Sequence, residues 1–174
     1  TAYALIAYMT AYLKAHYPVA FMAALLSSDI SGRNFKRKDS VVEHMEDCKR
    51  MGITVLPPDV NRSDAEFSVD EQGNICFALS AIKGCGGAAS RAIAEERRRN
   101  GLYTSLFDFC ERLDPGTVGR AAIETLVKAG AFDSLGRNRA RQFAAIDRAL
   151  QSGASAAADR RCGQLGLFGD DDAP

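Results

Sequence analysis

The chain has 174 residues, of which 47% are hydrophobic and 25% are charged, the composition of a folded globular protein. Its 22 basic and 22 acidic residues give a formal net charge of zero, so any affinity for nucleic acid must come from a local patch. No apolar run approaches the ~20 residues that span a bilayer, so we expect no membrane partner. This length allows one ordinary domain or two small ones.

Five cysteines are scattered along the chain without a CxxC pair: Cys48, Cys76, Cys85, Cys110 and Cys162. An odd number of dispersed thiols fits a reducing cytoplasm and argues against a disulfide framework or a zinc site. The two histidines, His16 and His44, fall in different predicted helices. Because no compact set of carboxylates, nucleophile and base is present, the sequence predicts no catalytic residue, metal site or cofactor in this chain.

Three helices are predicted within the first 56 residues. Pro18 ends the first and opens the second, and the third runs from about Asp39 to Met51 with Gly52 as its stop. A buried face of the first helix is predicted from large side chains at three- and four-residue steps: Tyr3, Ile6, Thr10, Leu13 and Tyr17. The helical pattern is already under way at the first residue, which is not Met, so we expect a fragment of a longer protein.

A double proline marks the predicted boundary between a first unit, residues 1–56, and a second, residues 57–151. The stretches AEFSV and ICFALSAI flank a glycine-containing turn and predict a β-hairpin. Four helical segments follow, one with Ser105 as N-cap and the others with glycine stops at Gly101, Gly130 and Gly153. Residues 152–174 are predicted to be a flexible tail. The predicted fold class is mainly α with one small β-hairpin.

The segment LSAIKGCGGAASRAIAEER, residues 79–97, contains two glycines on either side of Cys85, before an amphipathic helix. Glycines let the backbone turn tightly and approach a partner closely. The helix that starts at about Gly87 would present unpaired N–H groups, a natural anion site, and Lys83 adds a full charge. The spacing fits neither GxGxxG nor GxxxxGK[ST]. The alternative is a plain glycine-rich connection between a strand and a helix.

This pattern resembles the helix-hairpin-helix motif, in which hairpin amides hold a DNA phosphate without reading bases. The motif positions are occupied by Ile82, Gly84, Cys85, Gly86, Ser90 and Ile93. Cys85 replaces the usual branched aliphatic residue and Ser90 the usual alanine. A second, weaker copy is expected around Gly130. Arginines near the two helices would extend a basic patch or would simply be solvated: Arg97, Arg98, Arg99, Arg137, Arg139 and Arg141.

The tail contains an apolar cluster, QLGLF, formed by Gln164, Leu165, Leu167 and Phe168. It resembles the pentapeptide by which bacterial replication proteins dock on the sliding clamp. Leu167 and Phe168 would fill an apolar pocket while Gln164 meets polar groups at its rim. Gly166 stands where Ser or Asp is often found. The alternative is a tail that folds back on its own domain.

Five blocks in order resemble the α subunits of bacterial DNA polymerase III, the C-family replicative polymerases. AYALIAYMTAYLKAHYPVAFMAALL resembles the end of that family's fingers domain. CKRMGITVLPPDVNRSDAEFSV resembles the approach to its clamp-binding region, FALSAIKGCGG its helix-hairpin-helix entry, and SLFDFCERLD with LVKAGAFDSLG the part that follows. The error-prone sister polymerase shares many of these blocks. Parts of the sequence also fit a repair enzyme with a helix-hairpin-helix module, such as a nuclease or glycosylase, or a purely structural helical domain.

The resemblance implies roles for two groups of residues. The hairpin would hold duplex DNA through its phosphates: Lys83, Gly84, Cys85, Gly86 and Gly87. The tail peptide QLGLF would attach the polymerase to the β sliding clamp, and other replicase subunits are expected as partners. The palm aspartates that hold Mg²⁺ would precede this chain, so it should not polymerise alone. Lys14 and His16 fall in the fingers-like segment, where they fit surface positions at least as well.

Overall fold

The computed structural model describes residues 2–31, 38–136 and 138–161. These residues form a mainly α fold with a small three-stranded sheet, which confirms the predicted fold class. None of the helices in these ranges is long and apolar enough to cross a membrane. The helices are α1 (Ala2–His16), α2 (Pro18–Ser31), α3 (Lys38–Arg50), α4 (Gly87–Asn100), α5 (Leu106–Arg112), α6 (Arg120–Ala129) and α7 (Arg139–Arg161). The strands are β1 (Val55–Leu56), β2 (Ser68–Val69) and β3 (Ile75–Cys76).

The predicted β-hairpin is confirmed in β2 and β3, which pair antiparallel with Val69 opposite Ile75. Asp70 holds the turn between them, because its carboxylate accepts the N–H groups of Gln72 at 3.0 Å and Asn74 at 2.8 Å. Strand β1, which the sequence did not predict, pairs parallel with β3 and gives the order β1-β3-β2. The predicted boundary between residues 56 and 57 lies directly after β1. Because β1 pairs with β3, the sheet contains segments from both sides of this boundary.

Two hydrophobic clusters form the core. The first packs α2 and α3 against the sheet, through Met22, Leu26, Cys48, Ile53 and Ile75 among others. The second joins α4, α5, α6 and α7 around an aromatic centre of Tyr103, Phe109 and Phe132, in which Phe109 lies 4.9 Å from each of the other two ring centroids. Phe77 packs against both clusters, so the sheet connects the first helices to the helical part that carries the glycine hairpin.

The predicted buried face of α1 is wrong for the part of the chain described here. None of the residues of α1 is buried, and Tyr3 and Ile6 are 89% and 58% exposed. Helix α1 continues almost directly into α2, because the N–H of Tyr17 donates to the carbonyl of Leu13 at 2.8 Å and that of Phe21 to the carbonyl of Tyr17 at 2.9 Å, and its exposed apolar side chains lie around the whole circumference. A helix that is apolar on every side is typical of the interior of a larger assembly. The spacing of the apolar residues predicted this helix correctly, but it did not show which surface would cover the helix.

The predicted end of the last helix at Gly153 is also wrong, because α7 continues to Arg161. Alanine has the highest helix propensity of the amino acids, and the segment ASAAAD after Gly153 contains four alanines. Gly153 is needed for packing instead: a Cβ atom there would collide with the carbonyl group of Cys110 in α5. Glycine thus lets α5 and α7 approach closely. The other glycine stops are confirmed, with Gly101 and Gly130 at positive φ after α4 and α6.

Candidate nucleic-acid interface

The glycine hairpin begins with a 3-10 turn, Leu79–Ala81, instead of a full helix. The N–H of Cys85 donates to the carbonyl of Ile82 at 2.9 Å, which closes the turn before α4. Gly86 is the N-cap of α4, with extended backbone angles, and the helix begins at Gly87 as predicted. Residues 83–87 therefore form a tight loop between the sheet and the helix.

Gly84 fixes this loop against α6. Its φ of +97° lies in the left-handed region, which favours glycine. A Cβ atom at this position would stand 2.9 Å from the Oγ1 atom of Thr125. Since both the backbone angle and the space exclude a side chain, the motif glycine is required here for structure, and it sets the distance between the loop and α6.

Cys85 anchors the loop from the inside. Its side chain is 2% exposed and lies in the second hydrophobic cluster with Ile93. The Sγ atom is 3.3 Å from Oγ of Ser90, and that hydroxyl donates to the carbonyl of Gly86 at 3.1 Å. Burial raises the pKa of the Cys85 thiol above its usual value. The two departures from the usual motif thus contact one another, and the Cys85 side chain is not accessible to a ligand.

The outer side of the loop exposes Lys83, Gly84, Gly86 and Gly87. From the start of α4, the first backbone N–H that donates to a preceding carbonyl is that of Ser90, which bonds to the carbonyl of Gly86 at 2.9 Å. No side chain caps α4. The amides of the first turn therefore face outward without an acceptor among the described residues, at the positive end of the helix dipole. Lys83 makes no ion pair within the described ranges, so its charge adds to theirs.

The predicted second copy of the motif differs from the first at the N-terminus of its second helix. Helix α6, the turn at Gly130 and helix α7 are present, but the N-terminus of α7 is already capped. Oδ1 of Asn138 accepts the N–H of Arg141 at 3.0 Å, and Arg139 forms an ion pair with Asp133. The second hairpin therefore offers fewer unpaired donors than the first.

The arginine run at the end of α4 is largely engaged within the fold. Arg97, 11% exposed, donates to the carbonyl groups of Val60 at 2.9 Å and Ser63 at 2.6 Å. Arg97 and Arg98 both pair with Asp64, at 2.7 and 2.9 Å. Arg91, which no pattern in the sequence indicated, is exposed and belongs to the same helix. Among the described residues near the hairpin, the unpaired positive charges are therefore those of Lys83 and Arg91.

The remaining candidate residues lie either outside the described residues or in the first three helices. The tail residues Gln164, Leu165, Leu167 and Phe168 lie outside the described residues. Lys14 and His16 lie in the last turn of α1, and the His16 ring packs on Tyr12 with 4.2 Å between centroids. His44 pairs with Asp29 at 2.6 Å. Within the described ranges, no group of three His, Cys, Asp or Glu residues is arranged to hold a metal ion.

Comparison with known proteins agrees with this geometry. The model of the helix-hairpin-helix motif family matches residues 52–142, more than half of the chain. The chain therefore belongs to the helix-hairpin-helix family.

At the level of individual proteins, the resemblance to DNA polymerase III α subunits is confirmed. The α subunit of Thermus aquaticus is 47% identical over 173 residues, which are 99% of this chain and 14% of that protein. The α subunit of Caulobacter vibrioides is 46% identical over 170 residues, which are 98% of this chain and 14% of that protein. The α subunit of Vibrio cholerae is 42% identical over 168 residues, or 97% of this chain. The chain spans 14% of the length of these relatives.

Replacing Gly84 with alanine should destabilise the fold through two effects, backbone strain and collision with Thr125. We expect a loss of about 2–4 kcal/mol in the free energy of unfolding, measured by urea denaturation. The matched control is Gly73→Ala, because Gly73 has a φ of +80° with no atom within 4 Å of a Cβ. That variant should lose only about 1 kcal/mol. Equal losses in the two variants would contradict the close approach to α6.

Proposed function

We propose that this chain is a non-catalytic part of a replicative DNA polymerase α subunit, which holds duplex DNA and tethers the polymerase to the sliding clamp. The observation that supports DNA binding best is the uncapped first turn of α4, held outward by buried Cys85 and by Gly84. The names of the curated relatives favour a replicative polymerase over an error-prone enzyme or a repair module. DNA synthesis and its Mg²⁺ ions would belong to other parts of the whole protein, and its place of action would be the cytoplasm.

The proposed mode of binding is contact with phosphates and not with bases. Backbone N–H groups at a helix N-terminus suit one phosphate oxygen, and they carry no information about sequence. A chain with no net charge has no long-range attraction to DNA, so its affinity should be modest, roughly 1–100 μM near physiological salt. In a polymerase such weak, uniform contacts let the duplex slide as synthesis proceeds.

A Gly86→Asp variant separates DNA binding from folding. Gly86 has extended N-cap geometry and open space around its Cβ position, so aspartate should cap α4 and add a few tenths of a kcal/mol of stability. The same carboxylate would occupy the amides and repel phosphate. We expect at least about a tenfold loss of affinity for a short duplex, measured by fluorescence anisotropy at low salt.

The matched control for this experiment is Gly119→Asp. Gly119 is the N-cap of α6, also has no side-chain cap, and its Cβ would make only an ordinary contact with the carbonyl of Pro115. The change in charge and the type of position are therefore the same. Similar losses of DNA affinity in both variants would show that net charge, and not the hairpin, decides binding.

Clamp attachment is proposed for the tail peptide QLGLF. Helix α7 reaches Arg161, and Gln164 follows three residues later. The first part of the predicted linker, residues 152–161, is therefore helical. Because the peptide and the hairpin belong to one chain, DNA binding by the hairpin would raise the local concentration of the peptide at the clamp. The two contacts, hairpin on duplex and peptide on clamp, would act together to confer processivity.

The double substitution Leu167→Ala, Phe168→Ala should abolish binding to the purified sliding clamp of the same organism. We expect the unchanged chain to bind with a dissociation constant on the order of micromolar, since the two apolar side chains fill the pocket. The measurement is surface plasmon resonance or calorimetry. Asp171→Ala, Asp172→Ala is the control, and it should retain binding. Binding that survives loss of Leu167 and Phe168 would refute the peptide as the docking segment.

A further inference from the structure

Arg91 lies over the first turn of α4, beside the proposed phosphate site. Its Nη1 and Nη2 atoms are 3.5 and 4.0 Å from the position that a Cβ of Gly87 would take. Side chains on a helix lean toward its N-terminus, so an arginine four residues after Gly87 reaches back to the hairpin. Because Gly87 has no side chain, nothing stands between the guanidinium and the helix backbone at this point.

Intramolecular ion pairs in the described residues do not account for this position of Arg91. The three arginines further along α4 each pair with a carboxylate: Arg97 and Arg98 with Asp64, and Arg99 with Glu95. Glu95 is four residues from Arg91, at a distance in sequence that allows a helical ion pair, yet it pairs with Arg99. Arg91 forms no hydrogen bond or ion pair with any described residue. A cation beside the positive end of a helix dipole is unfavourable unless an anion neutralises it.

We propose that Arg91 is a second phosphate-binding residue, which contacts the duplex backbone next to the phosphate held by the hairpin amides. This inference rests on the proposed function and adds a residue to its site. A guanidinium binds phosphate oxygens in a bidentate manner, so Arg91 would fix the orientation of the strand as well as add charge. The amides alone would leave that orientation undetermined.

The acidic residues nearby restrict where the DNA backbone runs. A cleft of about 710 Å³ opens beside the hairpin, and its charged lining residues are Arg91, Arg98, Asp64, Glu66 and Glu95. Asp64 and Glu95 pair with arginines, so Glu66 is the one lining carboxylate without an ion pair among the described residues, and its charge disfavours phosphate inside the cleft. We therefore expect the duplex to contact the outer rim, where the exposed backbone of residues 86–87 and the Arg91 side chain lie together.

The test compares Arg91→Ala with Arg148→Ala in the 174-residue chain. Arg148 is an exposed arginine of α7 without an ion pair among the described residues, so both variants lose one unpaired charge. Affinity for a short duplex is measured by anisotropy over a range of salt concentrations. We expect Arg91→Ala to bind roughly five- to tenfold more weakly and its salt slope to fall by about 0.9, with Arg148→Ala unchanged. Arg91→Lys should restore the slope but only part of the affinity.

Two outcomes would overturn this inference while leaving the proposed function intact. In the first, Gly86→Asp abolishes binding but Arg91→Ala leaves both affinity and salt slope unchanged. In the second, Arg91→Ala and Arg148→Ala weaken binding equally, so position on the surface has no influence. A chain that binds no duplex at all would instead refute the proposed function, and the inference with it.

Discussion

The position of the hairpin depends on the close approach of Gly84 to Thr125. This contact holds the loop against α6, while Cys85 holds it against the core from the other side. With Cys85 buried and Gly84 in contact with α6, the amides of the first turn of α4 face outward, and Gly86 supplies no side chain to cap them. The proposed phosphate site is therefore produced by packing, and its donors are fixed before any ligand arrives.

Electrostatics explains why so few residues carry the proposed binding. The chain has equal numbers of acidic and basic residues, and most arginines of the described part pair with carboxylates. Arg97 shows this best, because it joins the loop after β1 to α4 by binding two carbonyl groups and Asp64. Such arginines stabilise the fold and leave little charge for DNA. Binding then relies on backbone dipoles with Lys83 and Arg91, which fits a weak contact that does not depend on sequence.

Local signals in the sequence predicted most elements, and long-range packing accounts for the failures. Ser105 was predicted as an N-cap, and its hydroxyl accepts the N–H of Asp108 at 3.1 Å. The predicted stop at Gly153 is wrong because a glycine at a helix end and a glycine at a helix crossing look alike in sequence. Strand β1 has only two residues, and its partner β3 lies twenty residues away. The hairpin was predicted from spacing, but Arg91 was missed because its importance comes from the lack of a partner in three dimensions.

The central claim is that the amides at the start of α4 bind duplex DNA, and an NMR titration tests it most directly. The ¹⁵N-labelled chain is titrated with a short duplex at low salt, and amide shifts are followed residue by residue. The account predicts the largest shifts at Gly86, Gly87 and Ala88, reversed by added salt and the same for unrelated duplex sequences. Unchanged amides at these positions, with shifts clustered elsewhere in the chain, would contradict it.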